Sequence, residues 1–188
     1  MKIKVIKYKT VKSTNDVAHR LIHKNQHRPA IIFSDAQRKG RGTMGKKWVS
    51  QKGNIFLSIL FQINQKKINF KQFSVLNAFL MKKIICKLIL KKIDIKFPND
   101  LLFEKKKICG ILQELVYMNK KSFLIVGIGL NTNKSPTSKI FLSTSLKKII
   151  KKDIDNKEIL KNIKNYYEKF LNEIKKTPYF KLKKKYKI

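Results

Sequence analysis

Several short stretches of this chain concentrate side chains suited to anions and flat rings. Lys39–Trp48 (K-G-R-G-T-M-G-K-K-W) packs three glycines, Arg41, Lys46 and Trp48 into one polar segment. Glycines let backbone amides approach an anion, the cations neutralise it, and an indole offers a stacking surface. Lys96-Phe97-Pro98-Asn99-Asp100 joins a cation, a rigid turn, an amide and one of only 11 carboxylates. It reads as a hairpin turn or as a holder for a metal–phosphate group. Lys107-Ile108-Cys109-Gly110-Ile111-Leu112 sets a lysine before an apolar strand whose glycine invites close approach by a ligand. Gly127-Ile128-Gly129-Leu130-Asn131 ends another such strand in an amide.

The glycine segment also carries two familiar spacings by coincidence. Gly40-x-Gly42-x-x-Gly45 fits the dinucleotide fingerprint, and Gly40-x₄-Gly45-Lys46 nearly fits a phosphate loop. Both mechanisms need a helix directly afterwards, so that phosphate meets its N-terminus. Here Trp48-Val49-Ser50-Gln51 leads through Gly53 towards a strand, and Lys47 stands where a phosphate loop needs Ser or Thr. Neither spacing is functional in this context. His19, His23 and His27, four apart, could in principle hold a metal, but they lie opposite the apolar stripe of their segment with no carboxylate or cysteine nearby in sequence. They read as a solvated face.

The elements that must position these clusters follow from periodicity. Residues 2–8 alternate as a strand, and Ser13-Thr14-Asn15 offers capping side chains to a helix carrying Val17, Ala18, Leu21 and Ile22. Ala30–Ser34 is a short strand, Asp35–Gly53 a polar loop, and Asn54–Ile63 a long apolar strand. Phe70–Leu90 reads as a buried helix and Ile93–Phe97 as a strand. Leu101–Phe103 and Ile108–Tyr117 form a hairpin around a Glu-Lys-Lys-Lys tip, followed by a strand at Ser122–Leu130. Beyond Asn133, helical patterns occupy Leu142–Ile150 and Ile159–Ile174. The fold class is α+β, a mixed and largely antiparallel sheet flanked by helices. The organisation is a single domain over 1–188, with a core at 1–133 and a helical segment at 134–188.

Composition narrows the function classes. The 188 residues hold 45 cations against 11 carboxylates, a formal charge of +34, yet 43% of residues are hydrophobic, which argues for a packed core. Only four cations are arginine (Arg20, Arg28, Arg38, Arg41). The lysines run along the whole chain in company with Ile and Asn, as an A/T-rich codon bias would distribute them. That favours a solvated lysine coat over a dedicated nucleic-acid surface, and no strand interleaves aromatics with arginine for base stacking. There is no apolar run of about 18 residues for a membrane span and no secretory signal pattern, so a cytoplasmic protein is expected. The cysteines, Cys86 and Cys109, are too few for a disulfide framework or a zinc site.

Taken in order, the clusters resemble the biotin protein ligases, the biotin–[acetyl-CoA-carboxylase] ligases. The matching elements are Ser13-Thr14-Asn15, Gln37-x-x-Gly40-Arg41-Gly42-x-x-Gly45-x-x-Trp48, Lys96-Phe97-Pro98-Asn99-Asp100, Lys107-Ile108-x-Gly110-Ile111-Leu112 and Gly127-Ile128-Gly129-Leu130-Asn131. The resemblance implies the biotin/lipoate ligase catalytic fold, similar to class II aminoacyl-tRNA synthetases. It implies an ATP- and Mg²⁺-dependent reaction that makes biotinyl-5′-AMP and passes biotin to a lysine of a biotin carboxyl carrier protein of acetyl-CoA carboxylase. By that match, Ser13, Thr14, Asn15, Gln37, Gly40, Gly110 and Gly129 line the biotin site. Arg41 and Lys107 are the catalytic cations at the carboxylate–phosphate junction. Trp48, Lys96, Asn99 and Asn131 serve the nucleotide, and Asp100 sits at the metal end. The rivals are a lipoate ligase or octanoyltransferase, whose thiol-leaving variant needs a nucleophile, and a basic nucleic-acid-binding protein.

The departures from the family pattern carry expectations too. Phe97 replaces a usual tryptophan, and Lys46 a common arginine. No residues precede the first strand, so a winged helix-turn-helix and operator binding are not expected. The residues after Lys175 are too few for the small C-terminal β-barrel of many members. Thr43 stands where many members carry a second arginine that helps retain the adenylate. Leakage of the activated acyl group is therefore expected, and the purified protein with biotin and ATP should label lysines of bulk protein. Labelling confined to the carrier domain would show that Thr43 suffices.

Overall fold

The computed structural model describes residues 1–137, 141–186 and 188. Its strands are β1 (Lys4–Val11), β2 (Ala30–Gln37), β3 (Ile55–Ile63), β4 (Asp94–Lys96), β5 (Asp100–Phe103), β6 (Lys106–Met118) and β7 (Lys121–Leu130). They form one seven-stranded sheet in the order β1-β2-β3-β7-β6-β5-β4. Only β1 and β2 run parallel, and α1 (Thr14–His23) is their crossover. Every other pairing is antiparallel. The expected mixed α+β architecture is the one observed.

The sheet is covered on both faces, which explains why β3 and β7 are apolar throughout instead of alternating. On one face the odd-numbered β3 residues Leu57, Ile59 and Phe61 pack with α2 (Phe70–Ile89), α4 (Asn156–Lys176) and α5 (Tyr179–Tyr186). On the other, Val17, Ala18 and Ile22 of α1 pack on Ile32, Leu60, Phe123 and Ile125. Asn69 opens α2 with a capping box to Gln72, the reason that this helix starts where the apolar run begins. A buried hydrogen bond from Tyr167 Oη to Asn77 Oδ1 (2.9 Å) fixes α4 on α2. The C-terminal α5 closes the same core through Leu182, with Tyr186 edge-on to Phe170.

Several boundaries differ from those read off the sequence. β1 extends to Val11 and β2 to Gln37, because parallel pairing continues through Val11↔Gln37 after the composition has turned polar. The Asp35–Gly53 loop is therefore shorter, and its middle is a small hairpin instead of irregular chain. Arg41 bridges Lys47, Trp48 N–H donates to the Gly40 carbonyl (2.9 Å), and Met44 and Gly45 turn the tip at φ 53° and 70°. The helix expected over Leu142–Ile150 contracts to α3 (Leu146–Ile150), since residues 142–144 lie alongside Lys107 as a strand-like bridge. Ser13 occupies the N-cap of α1, but no side chain caps that end; Thr14 and Asn15 point their polar groups elsewhere.

Burial sets an alkaline limit on this fold. Cys109 and Tyr167 are fully buried, and desolvation pushes both protons' pKa values well above their ordinary 9.0 and 10.0. Above about pH 9 the unfolded chain loses protons that the folded chain retains, so stability falls as pH rises. Thermal melts should show that decline beginning near pH 9, and Cys109→Ala should flatten its first part.

Candidate active site

Cross-strand pairing lines up a row of residues on the α1 face of the sheet: Lys96↔Asp100↔Gly110↔Gly129↔Phe56. The next row but one holds Leu112↔Gly127↔Ser58. Three glycines thus leave a patch of β6 and β7 without side chains. The indole of Trp48 lies on Gly110 and Gly129, and the carboxamide of Asn15 lies on Gly127. A Cβ on Gly110 would come 2.5 Å from Trp48 Cζ3. The need for glycine is therefore close approach, as the sequence suggested, and not unusual dihedral angles.

The Asn15 end of the patch is polar and enclosed. Gln37 Oε1 accepts from Thr14 N–H (2.8 Å) and from Thr14 Oγ1 (3.1 Å), while Gln37 Nε2 donates to Ser50 Oγ (3.1 Å). Ser58 Oγ lies 2.7 Å from Thr14 Oγ1 and 2.5 Å from Asn15 Oδ1. Ser13, Thr14, Asn15 and Ser58 are all buried. Gly40 closes the base of the hairpin beside this network, and a Cβ there would meet Ser50 Oγ and the Trp48 carbonyl at 2.7 Å.

Both catalytic cations expected from the sequence reach this face, each already holding a carboxylate. Lys107 Nζ is 2.7 Å from Asp100 Oδ1 and 5.3 Å from the centre of the Trp48 ring. Regular alternation would put Lys107 on the face opposite Gly110. The register instead jumps from Leu101↔Cys109 to Leu102↔Lys107, leaving Ile108 as the extra residue and turning Lys107 back towards the site. Arg41 forks onto Glu114, Nη1 to Oε1 and Nη2 to Oε2 at 2.9 Å each, and Nη2 also reaches Asp16 Oδ1 at 3.0 Å. Three of the 11 carboxylates in a chain of +34 thus gather beside two cations, so both cations of the site are already paired and the five groups together carry one net negative charge.

Other expected site residues are placed differently. The side chain of Asn99 is spent on the edge of β6, donating to the Ile111 carbonyl at 3.1 Å. Asn131 is buried and donates to the Thr144 carbonyl (3.2 Å); its Oδ1 is left without a partner among the described residues. Lys96 is exposed on β4, in line with Asp100. Asp100, expected at the metal end, is the counterion of Lys107, and no group of three or more His, Cys, Asp or Glu side chains that could by itself hold a metal ion occurs among the described residues. His19 is not merely solvated, since its Nε2 lies 3.2 Å from Glu114 Oε2. His27 leaves the expected helical face altogether, and its ring packs 5.1 Å from Phe123.

Asp16, Glu114, Ser50 and Ser58 were not picked out from the sequence. Glu114 carried the clearest signal, a scarce carboxylate on an otherwise apolar strand two steps beyond Leu112. Ser58 and Ser50 carried none, since a serine on an apolar strand or in a polar loop reads as filler until its partners are known.

A glycine-floored sheet face with a buried amide–hydroxyl end, an indole and two paired cations has the chemistry to take an elongated anion bearing a polar head. Residues 8–131 match the Biotin/lipoate A/B protein ligase family. The chain belongs to that family. It is 30% identical over 173 residues to the bifunctional ligase/repressor BirA of Bacillus subtilis, an alignment covering 88% of this chain and 53% of that protein. The chain thus spans about half the length of the curated relatives it matches. Its fold superposes on a biotin protein ligase from Aquifex aeolicus in complex with biotin and ATP, with TM-score 0.81, 31% identity, and coverage of 97% of this chain and 76% of that one. A lipoate protein ligase from Thermoplasma acidophilum shares the fold alone, at 10% identity and TM-score 0.61 over 92% of this chain and 84% of that one.

The glycine floor makes a direct prediction. In Gly110→Ala the new methyl group should lift Trp48 off the sheet, red-shifting the emission of the chain's single tryptophan, at a stability cost of about 1–3 kcal/mol in denaturant titration. Unchanged emission would show that the indole is not seated there in solution.

Proposed function

We propose that this chain is an ATP-dependent biotin–protein ligase. The observation that carries it is the polarity of the enclosed end of the site. Thr14, Asn15, Gln37 and Ser58 present a connected set of amide and hydroxyl groups there. A ureido ring, with two N–H donors and a carbonyl, can exchange hydrogen bonds with such groups, whereas the dithiolane of lipoate offers them no donor or acceptor of comparable strength. Cys109 also argues against a thiol-dependent acyl transfer, because burial holds it protonated and out of reach.

In this proposal Trp48 moves off the Gly110–Gly129 floor, the ring system takes its place there, and the ureido head lies among Thr14, Asn15 and Gln37. The valeryl carboxylate points towards Arg41 and Lys107. Its oxygen attacks the α-phosphorus of ATP, the P–O bond to pyrophosphate breaks, and biotinyl-5′-AMP forms. Two anions must meet for this step, so fixed cations and amides do more than an acid–base pair would. Trp48 and Asn131 serve the nucleotide, and Lys96 adds a phosphate cation at the edge of the row. The neutral Nζ of a lysine on a biotin carboxyl carrier protein of acetyl-CoA carboxylase then attacks the mixed anhydride and releases AMP. Mg²⁺ would accompany the nucleotide, and no residue of this chain is assigned to it. Among the described residues no helix is long and apolar enough to cross a membrane; we propose a cytoplasmic setting.

Lys107→Ala should abolish biotin-dependent ATP–pyrophosphate exchange while leaving the thermal melt close to wild type. Lipoate should not replace biotin in the wild-type assay. Exchange that survives in Lys107→Ala would remove that side chain from the reaction, and equal exchange with lipoate would overturn the substrate.

A further inference from the structure

The carboxylate of Glu114 collects more polar contacts than any other on this face. It lies on β6, opposite the apolar Ile125 and with its side chain only 21% exposed. One oxygen takes Arg41 Nη1; the other takes Arg41 Nη2 at 2.9 Å, Asn15 Nδ2 at 2.6 Å and His19 Nε2 at 3.2 Å. Asn15 is in turn joined through Ser58 to Thr14 and Gln37. Glu114 therefore ties the enclosed polar end of the site to the 40–48 hairpin. Together with the seat of Trp48 on the glycines, the Lys107–Trp48 and Gln37–Ser50 contacts and the backbone bonds from Arg38 and Lys39 to Val11 and Lys12, this pair and the Asp16 contact fasten the hairpin to the sheet.

The fork has a chemical consequence. Arg41 presents its two terminal nitrogens end-on to Glu114, which is the same edge a ligand carboxylate or phosphate would take in a bidentate grip. Both cannot hold that edge together. We propose that Glu114 is a positioning residue that acts through Arg41: it is an internal counter-anion that keeps the hairpin seated and Arg41 aimed across the site, and it yields the guanidinium when an anionic ligand arrives. Asp16, on α1, is the second arm of the same hold. The exchange is isoelectric for Arg41, so a site of alternating charges never has to desolvate a lone guanidinium. The ligand part of this proposal rests on the biotin-ligase reading; the hold on the hairpin does not.

Glu114→Gln tests it, because glutamine keeps an oxygen for Asn15 while discarding the charge that holds Arg41. Trp48 is the only tryptophan and rides on the hairpin, so it reports directly. In the ligand-free full chain, E114Q should show greater acrylamide quenching of Trp48 and faster hydrogen exchange across residues 38–50. With the competitor gone, the KM for biotin should fall about two- to fivefold, the range set by a partly exposed ion pair, with kcat changing less than KM. Glu114→Asp restores the charge at shorter reach and should recover part of the wild-type quenching. Quenching and exchange equal to wild type in E114Q would overturn the hold on the hairpin. A loosened hairpin with a raised KM would overturn the competition. If E114Q fails to fold, Asp16→Asn probes the other arm from the surface of α1 and should move both readouts in the same directions. Wild-type protein that binds no biotin would sink the ligase reading, while the quenching comparison would still decide the hold.

Discussion

The site depends on side chains being absent from a sheet face that elsewhere is packed. β7 is buried along most of its length and β6 through Ile108–Ile111, yet where they pair through Gly110↔Gly129 and at Gly127 the face carries no Cβ. That gap lets Trp48 and Asn15 descend almost to the backbone. Interiors are packed to near-crystalline density, so a patch without side chains must be filled by something with a flat surface. The filler is an indole and an amide from the two segments that bracket the site. Any ligand lying on the same floor makes contact with backbone on one side and with the hairpin on the other.

Electrostatics follows from the same arrangement. A chain with +34 formal charge could be expected to offer an anion a field of bare cations. At the site the opposite holds, because Lys107 and Arg41 each have a carboxylate partner within hydrogen-bonding distance. The surrounding lysine coat contributes a long-range attraction that salt screens within about 10 Å. The short-range chemistry is left to two cations whose direction is fixed by Asp100, Glu114 and Asp16. The enclosed polar set of Thr14, Asn15, Gln37 and Ser58 and the ion pairs are thus physically separate, and in the proposed function the first selects the head group and the second grips the anionic tail.

Much of this was legible in the chain. The long apolar runs of β3, α2 and β7 announced a sheet covered on both faces, and their boundaries lie within a residue or two of the observed ones. The clusters at 13–15, 37–48, 96–100, 107–112 and 127–131 were visible because rare residue types, arginine and tryptophan above all, stand out against a lysine- and isoleucine-rich background. What escaped notice was ordinary in type: Ser50 and Ser58 become site residues only through partners more than ten positions away. Asn99 shows the converse, a residue that looked chemical and whose amide closes a strand edge.

Composition, periodicity and motif order were enough to determine the α+β class, the covered sheet and the segments that build the site, since each is a local property of residue type and spacing. Which way those residues point was decided by the assembled sheet. Strand register set three glycines side by side, and one extra residue at Ile108 turned Lys107 onto the face that alternation would have denied it. The pairing of Arg41 with Glu114 spans 73 positions of chain. Contacts at that separation depend on how strands from distant segments come to lie adjacent, and no local pattern in the chain encodes that.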